Sequence, residues 1–204
     1  NLYEKAISLA GLTGNERVMD AYCGIGTIGL IASRDAREVI SVELNPDAVR
    51  DAVTNAKRNQ IKNVSFYQND AGAFMVSMAE KGEKADIVFM DPPRAGSDEA
   101  FLSSVVTLSP KKVVYVSCNP ETLARDLRYL TKHGYKAEEA WGHDMFAWSE
   151  HVESIVLLSK LKSNKLKHIN VELEMDELDL MAAESKAIYA EVKDYVSEAK
   201  RIES

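Results

Sequence analysis

Hydrophobic positions along this chain repeat first at helical spacing and then at strand spacing, over and over, and each change marks a new element. An opening helical stripe covers Leu2 to Leu12. Strands follow at Arg17–Tyr22, Glu38–Glu43, Val64–Tyr67 and Asp86–Met90, with a fifth from Lys112 that runs out at Cys118. Between them lie helical stretches at Thr27–Ser33, Pro46–Asn59, Ala71–Ala79 and Asp98–Leu108, and another opens after Asn119. Asn45-Pro46 and Asn119-Pro120 each pair a good N-cap with a residue suited to the first helical position. Tyr135–Trp141 and Ser154–Ser159 close the series as two strands with no helical stretch between them. Strict alternation predicts an α/β fold, a doubly wound Rossmann-like sheet that is mostly parallel, with an antiparallel C-terminal hairpin.

Past Ser159 the pattern changes. Lys160 to Lys167 is polar, basic and linker-like; His168–Met175 alternates like a strand; Ala182–Ala199 is an amphipathic helix with Ile188, Val192, Tyr195 and Val196 on one side. The expected division is a domain over 1–160 and a small extension over 161–204. The chain opens inside a helical pattern, without an initiator methionine or a signal-like apolar stretch, so a fragment is expected. No apolar run reaches the roughly 20 residues of a membrane span. Only Cys23 and Cys118 are present, too few for a disulfide framework or a zinc cluster, so a reducing cytoplasm and no metal are expected. The net charge of -7 argues against a strongly basic nucleic-acid-binding domain. An RNA partner would need a local basic patch or a separate domain.

In a doubly wound sheet, ligands lie beyond the C-terminal ends of the strands. Those ends carry Asp20, Glu43, Asp70 and Asp91. The first loop, Gly24-Ile-Gly-Thr-Ile-Gly29, satisfies the dinucleotide fingerprint, and an NAD-dependent oxidoreductase is one reading. A pyrophosphate, however, would be repelled by Asp20. S-adenosylmethionine carries a sulfonium and an ammonium, which acids attract. Glu43 suits ribose hydroxyls, and Asp70 is placed to reach an adenine amino group. Asp91-Pro-Pro-Arg94 makes a stiff ledge opposite the glycine loop. Ser117-Cys-Asn-Pro120 sets a thiol where a strand gives way to a helix, a position that favours thiolate. A small buried hydrophobe fits Cys118 as well as a nucleophile does on that segment alone.

Taken together, Asp20-Ala-Tyr-Cys-Gly-Ile-Gly-Thr-Ile, Glu43, Asp91-Pro-Pro-Arg94, Ser117-Cys-Asn-Pro120 with Thr122 and Ala124-Arg-Asp126, Asp144-Met-Phe146 and His151-Val-Glu153 resemble the catalytic domain of the RNA uracil-C5 methyltransferases. The matching segments keep the family's order over roughly residues 1 to 160. The resemblance implies a class I methyltransferase domain that uses S-adenosylmethionine, held by Tyr22, Gly24, Gly26, Thr27, Glu43, Asp70 and Asp91. It implies methylation of uridine at C5 in RNA, 23S ribosomal RNA placed ahead of transfer RNA, through a covalent bond from Cys118 to C6 and with Glu153 as the base. His151 ranks second as a base, Phe146 is available for stacking, and Arg94, Arg125 and Arg128 are candidate phosphate contacts. Cys23 fits the crowded glycine turn as a small residue. The family's upstream Phe-x-Gln segment, N-terminal RNA-binding β-barrel and iron–sulfur cysteines have no counterpart here, and Ala147 and Ser149 stand where Pro and Thr are frequent. A cofactor-binding fragment without activity is the other reading. An amino-directed methyltransferase would share Asp-Pro-Pro, but it needs no cysteine and has an aromatic where Arg94 stands.

Overall fold

The central strands owe their position to runs of apolar residues with no polar face. Ile87–Met90 (β4) is buried at every position, and Lys112–Ser117 (β5) at every position but its first, the pattern of strands covered on both faces. A computed structural model describes residues 2–144 and 152–161. The remaining elements are α1 (Leu2–Ala10), β1 (Arg17–Ala21), α2 (Thr27–Ala32), β2 (Glu38–Glu43), α3 (Pro46–Arg58), β3 (Val64–Gln68), α4 (Ala71–Glu80), α5 (Glu99–Leu108), α6 (Pro120–Lys132), β6 (Tyr135–His143) and β7 (Glu153–Lys160). They form one seven-stranded sheet of order β3-β2-β1-β4-β5-β7-β6. The first five strands in that order are parallel neighbours, and β7 enters antiparallel between β5 and β6. The alternating pattern is thus a mostly parallel Rossmann-like sheet with antiparallel C-terminal strands, as expected.

Two apolar layers sandwich the sheet. Leu2, Ala6 and Ile7 of α1 and Ile28 and Ala32 of α2 pack on Val18, Phe89, Val114, Val116 and Ile155. Met75 and Met78 of α4, Phe101 and Val105 of α5 and Leu123 and Leu130 of α6 pack on the opposite face, against Met19, Val88, Val113 and Tyr115. The predicted caps are in place: Asn45 accepts from the Asp47 amide and Asn119 from the Glu121 amide, each followed by proline. Asp70 and Asp98 cap α4 and α5 in the same way, accepting from the Ala73 and Phe101 amides.

Strand ends differ from the sequence reading by a residue or two. The largest difference in kind is Tyr22, which is not the last strand residue but turns the chain at φ 62. No helix of the described residues is long and apolar enough to cross a membrane. Met145, Phe146, Ala147, Ser149 and His151, with the extension from residue 162 onward, lie outside the described residues.

Candidate active site

Strand alternation assembles the site. Side chains two apart share a face, so Asp20 follows Val18, Asp91 follows Phe89 and Glu153 precedes Ile155. Each carboxylate therefore belongs to the face that α1 and α2 cover. The loops at these strand ends, residues 20–26, 43–45, 68–70, 91–94 and 117–119, contain a single basic side chain, Arg94.

Asp20 is fully buried. Its Oδ2 accepts a 2.8 Å hydrogen bond from the Gly29 amide, while Oδ1 accepts none. Burial pushes this carboxyl up to about 7, against the Gly29 amide and with help from the charges of Asp91 and Glu43. Burial likewise lifts Asp91 to about 6; the Tyr3 hydroxyl, which donates to Oδ2 at 3.2 Å, opposes this, and the charge of Glu153 adds to it. Tyr3 was not foreseen as part of the site. Its phenol is raised to about 12, by burial first and by Asp91 next, so it remains a proton donor. Three carboxylates and a phenol thus feel one another across the ends of β1, β4 and β7.

The glycine loop wraps the acid on the next strand. Gly24 donates its amide to Glu43 Oε2 at 3.0 Å, and the Asn45 amide donates to Oε1 at 2.8 Å. A carboxylate has about four acceptor positions, so Glu43 keeps room for two further donors. Gly26, at φ 86, caps α2, and a Cβ there would lie 3.0 Å from the Phe66 ring. Thr27 begins α2, and Tyr22 packs its ring on Phe101 at 4.7 Å between centroids. Cys23 is buried, its amide bonded to Val42 and its thiol pushed up by burial, which makes it an inert filler of the turn. Asp70 stands apart from the other acids. It is exposed, with one oxygen committed to capping α4, so its proposed reach toward an adenine rests on the other oxygen. Among the described residues, no group of three or more His, Cys, Asp and Glu side chains is arranged to hold a metal ion.

Gly29 shows how tightly this corner is built. A Cβ on it would lie 2.6 Å from Ser41 Oγ and 2.9 Å from Asp20 Oδ2. Alanine in a helix is worth about 1 kcal/mol over glycine, whereas forced overpacking costs typically about 1–3 kcal/mol. The neighbours are strand residues with little room to yield, so the penalty wins. Gly29→Ala is expected to lower the melting temperature by roughly 2–8 °C, a net loss of about 1–2 kcal/mol at about 2–4 °C per kcal/mol for a chain of this size. A melt equal to or above the parent's would show that the corner can open.

Cys118 is part-exposed, in contrast to Cys23. It lies between the end of β5 and the Asn119 cap of α6. The β5–β7 ladder ends with Ser117 opposite Ser154, and Cys118 and Glu153 are the residues that adjoin this last pair in the chain. Arg125, a candidate phosphate contact in the sequence, is exposed and also holds the loop after β4: Nε donates to Asp126 at 2.8 Å, and Nη2 donates to the Ala95 and Ser97 carbonyls at 3.1 and 2.7 Å.

Residues 3–161 match the model of the tRNA (uracil-5-)-methyltransferase family. Two similar chains are uncharacterized RNA methyltransferases. That of Halalkalibacterium halodurans is 48% identical over 157 residues, 77% of this chain and 34% of the relative. That of Caldanaerobacter subterraneus subsp. tengcongensis is 48% identical over 160 residues, 78% of this chain and 35% of the relative. This chain spans about a third of the length of these curated relatives. The crystal structure of the Pyrococcus abyssi tRNA (uracil-54, C5)-methyltransferase, in complex with S-adenosyl-L-homocysteine, is similar with a TM-score of 0.65 and 31% identity, covering 78% of this chain and 37% of that one. Through the family match and the acid-lined strand ends together, the chain belongs to the tRNA (uracil-5-)-methyltransferase family.

Proposed function

We propose that residues 1–160 form the catalytic domain of an S-adenosylmethionine-dependent enzyme that methylates uridine at C5 in RNA, ribosomal or transfer. The observation that carries the chemistry is that Cys118 and Glu153 both adjoin the Ser117–Ser154 pair that ends the β5–β7 ladder. The reaction needs a nucleophile on one side of C5–C6 and a base within reach. The Cys118 thiolate adds to C6, and the C5–C6 π electrons move onto the ring carbonyl as an enolate, which makes C5 nucleophilic. Bound S-adenosylmethionine supplies a methyl group activated as a sulfonium. Glu153 then takes the proton from C5, the electrons of that bond re-form C5–C6, and the Cys118 thiolate departs.

The acid set fits a cationic cofactor. Asp20 holds a buried oxygen with no hydrogen-bond donor, and acids predominate where a pyrophosphate would have to sit. Glu43, Tyr22, Gly24, Gly26 and Thr27 would hold the nucleoside end and Asp91 the charged end, with Asp70 at the rim. The same acids speak against the NAD reading.

Incubation with 5-fluorouridine-containing RNA and S-adenosylmethionine tests the reading. Fluorine at C5 blocks proton removal, so a protein–RNA adduct should accumulate. Parallel arms with a 23S ribosomal RNA fragment and with transfer RNA separate the two substrates. Tight binding of NAD with no response to S-adenosylmethionine would overturn the proposal.

The raised acids set a pH dependence. A carboxyl with a folded pKa above its unfolded value stabilises the fold below the unfolded pKa and loses that contribution as pH rises through the folded one. Asp91 at about 6 and Asp20 at about 7 therefore favour the ligand-free fold most below about pH 4, from the ordinary range of Asp, and cease to do so by pH 7. Cofactor binding runs the other way, because ionised acids attract the sulfonium. Affinity for S-adenosylmethionine, measured by calorimetry, is expected to rise by roughly tenfold from pH 5.5 to 7.5 as these groups ionise. A flat profile would remove Asp20 and Asp91 from the cofactor's field.

A further inference from the structure

Asp126 is fully buried on the inward stripe of α6, between Leu123 and Leu130. A carboxylate in such a place is strongly disfavoured unless it is paired and hydrogen-bonded. It is both. Oδ2 accepts from the Ser97 amide at 2.8 Å and from the Tyr115 hydroxyl at 2.6 Å, and Oδ1 accepts from Arg125 at 2.8 Å. The donors come from three segments: the loop after β4, the strand β5 that leads to Cys118, and α6 itself.

The bonds around this carboxylate draw the loop onto the start of α6. The Arg94 carbonyl accepts from Asn119 Nδ2 at 3.2 Å and Thr122 Oγ1 at 3.3 Å. Arg125, oriented by Asp126, holds the Ala95 and Ser97 carbonyls. Gly96, at φ 73, lets the backbone come so near that a Cβ there would lie 2.7 Å from Arg125 Nη2 and 2.9 Å from Asp126 Oδ2. The same loop begins at the Asp91-Pro-Pro-Arg94 ledge on the cleft side of the sheet, whereas Tyr115 packs in the layer on the other side. The clamp therefore grips from behind the two segments that carry the ledge and the thiol.

We infer that Asp126 is a positioning residue: it fixes the ledge over Asp91–Arg94 and the thiol of Cys118 in one relative geometry, and so sets the rate of the covalent step. Its catalytic meaning rests on the uracil-C5 reading, but the clamp itself can be tested without it. Removing the charge with Asp126→Asn leaves the side-chain volume and weakens all three partners at once. Tyr115→Phe removes a single donor and serves as the milder variant.

Three measurements on this chain decide the matter, at a temperature where each variant is folded. Hydrogen exchange in peptides covering 92–98 and 118–124 should quicken by about tenfold in Asp126→Asn, while peptides of β1 and β4 keep the parent's rates. Alkylation by iodoacetamide, read at the Cys118 peptide, should change by about threefold or more, because thiol reactivity follows its surroundings. With saturating 5-fluorouridine RNA, the rate constant of adduct formation should fall by roughly 30-fold, while the half-saturating RNA concentration stays within about twofold, since misplacement by about an ångström suffices for such a loss. Tyr115→Phe should move the same readings by smaller factors. A role in stability alone would lower the melting temperature yet leave alkylation and the rate constant at parental values, and that result overturns the inference. If Asp126→Asn does not fold, the Tyr115→Phe readings decide by the same criteria. If the parent forms no adduct, the uracil reading fails, and exchange and alkylation alone judge the clamp.

Discussion

Replacing Cys118 with alanine is expected to abolish the 5-fluorouridine adduct and to lower methyl transfer by about 10⁴-fold or more, the scale of losing a covalent nucleophile. The argument turns on the pyrimidine. C5 of uracil does not attack a methyl group until a nucleophile at C6 has turned the ring into an enolate, and no other described residue near the cleft offers a comparable nucleophile. Cys23 is no substitute, because it is buried and its thiol is pushed up by that burial. The fold should tolerate the change. Cys118 is part-exposed, and the cap of α6 is made by Asn119 rather than by the thiol, so the melting temperature should shift by little, as for a surface substitution. Denaturing electrophoresis and mass spectrometry check both expectations. An adduct on the alanine variant would move the nucleophile elsewhere.

Glu153→Gln is expected to separate the two halves of the same reaction. Methyl transfer onto ordinary RNA would occur once per molecule, after which the C5 proton could not leave and the thioether would persist. Turnover should fall by about 10²–10⁴-fold, the usual contribution of a positioned base, and a methylated protein–RNA adduct should build up. Glutamine keeps the size of the side chain and its capacity to accept a hydrogen bond, so the loss reports the missing base. Fast turnover by this variant would assign the base to another residue. The variant also removes one of the charges that lift Asp91, so the rise of cofactor affinity with pH should begin at slightly lower pH.

Much of the fold was legible because its signals are local. Asn45-Pro46 and Asn119-Pro120 announced two helix starts, and the uninterrupted Ile-Val-Phe-Met of β4 announced a strand covered on both faces. The acids at the strand ends were visible too, since alternation assigns a face without further knowledge. Other parts of the site depend on contacts far apart in the chain. Tyr3 meets Asp91 across 88 positions, and nothing in the helical stripe of α1 marks it out. Asp70 looked like its fellow acids and proves also to cap α4 through one oxygen, a second role that Asp fills well at a strand-to-helix turn. A signal for Asp126 was present: an aspartate in line with Leu123 and Leu130 contradicts the apolar side of its helix and calls for partners. Arg125 beside it carried no such mark, and only packing shows that its guanidinium serves the loop. That Cys118 and Glu153 adjoin the same end of the β5–β7 ladder could not be read from sequence, because it follows from where β7 enters the sheet.

That entry point has a consequence for synthesis. Asp20, Glu43, Asp70 and Asp91 are all in place by residue 91, whereas Glu153 arrives on the last strand, 35 positions after Cys118. On the proposed reading, the residues for the methyl donor are therefore synthesised well before the base that releases the pyrimidine. Glu153 joins Cys118 only once residue 160 is free to pair beside β5, so release of the pyrimidine is the last capability the growing domain acquires.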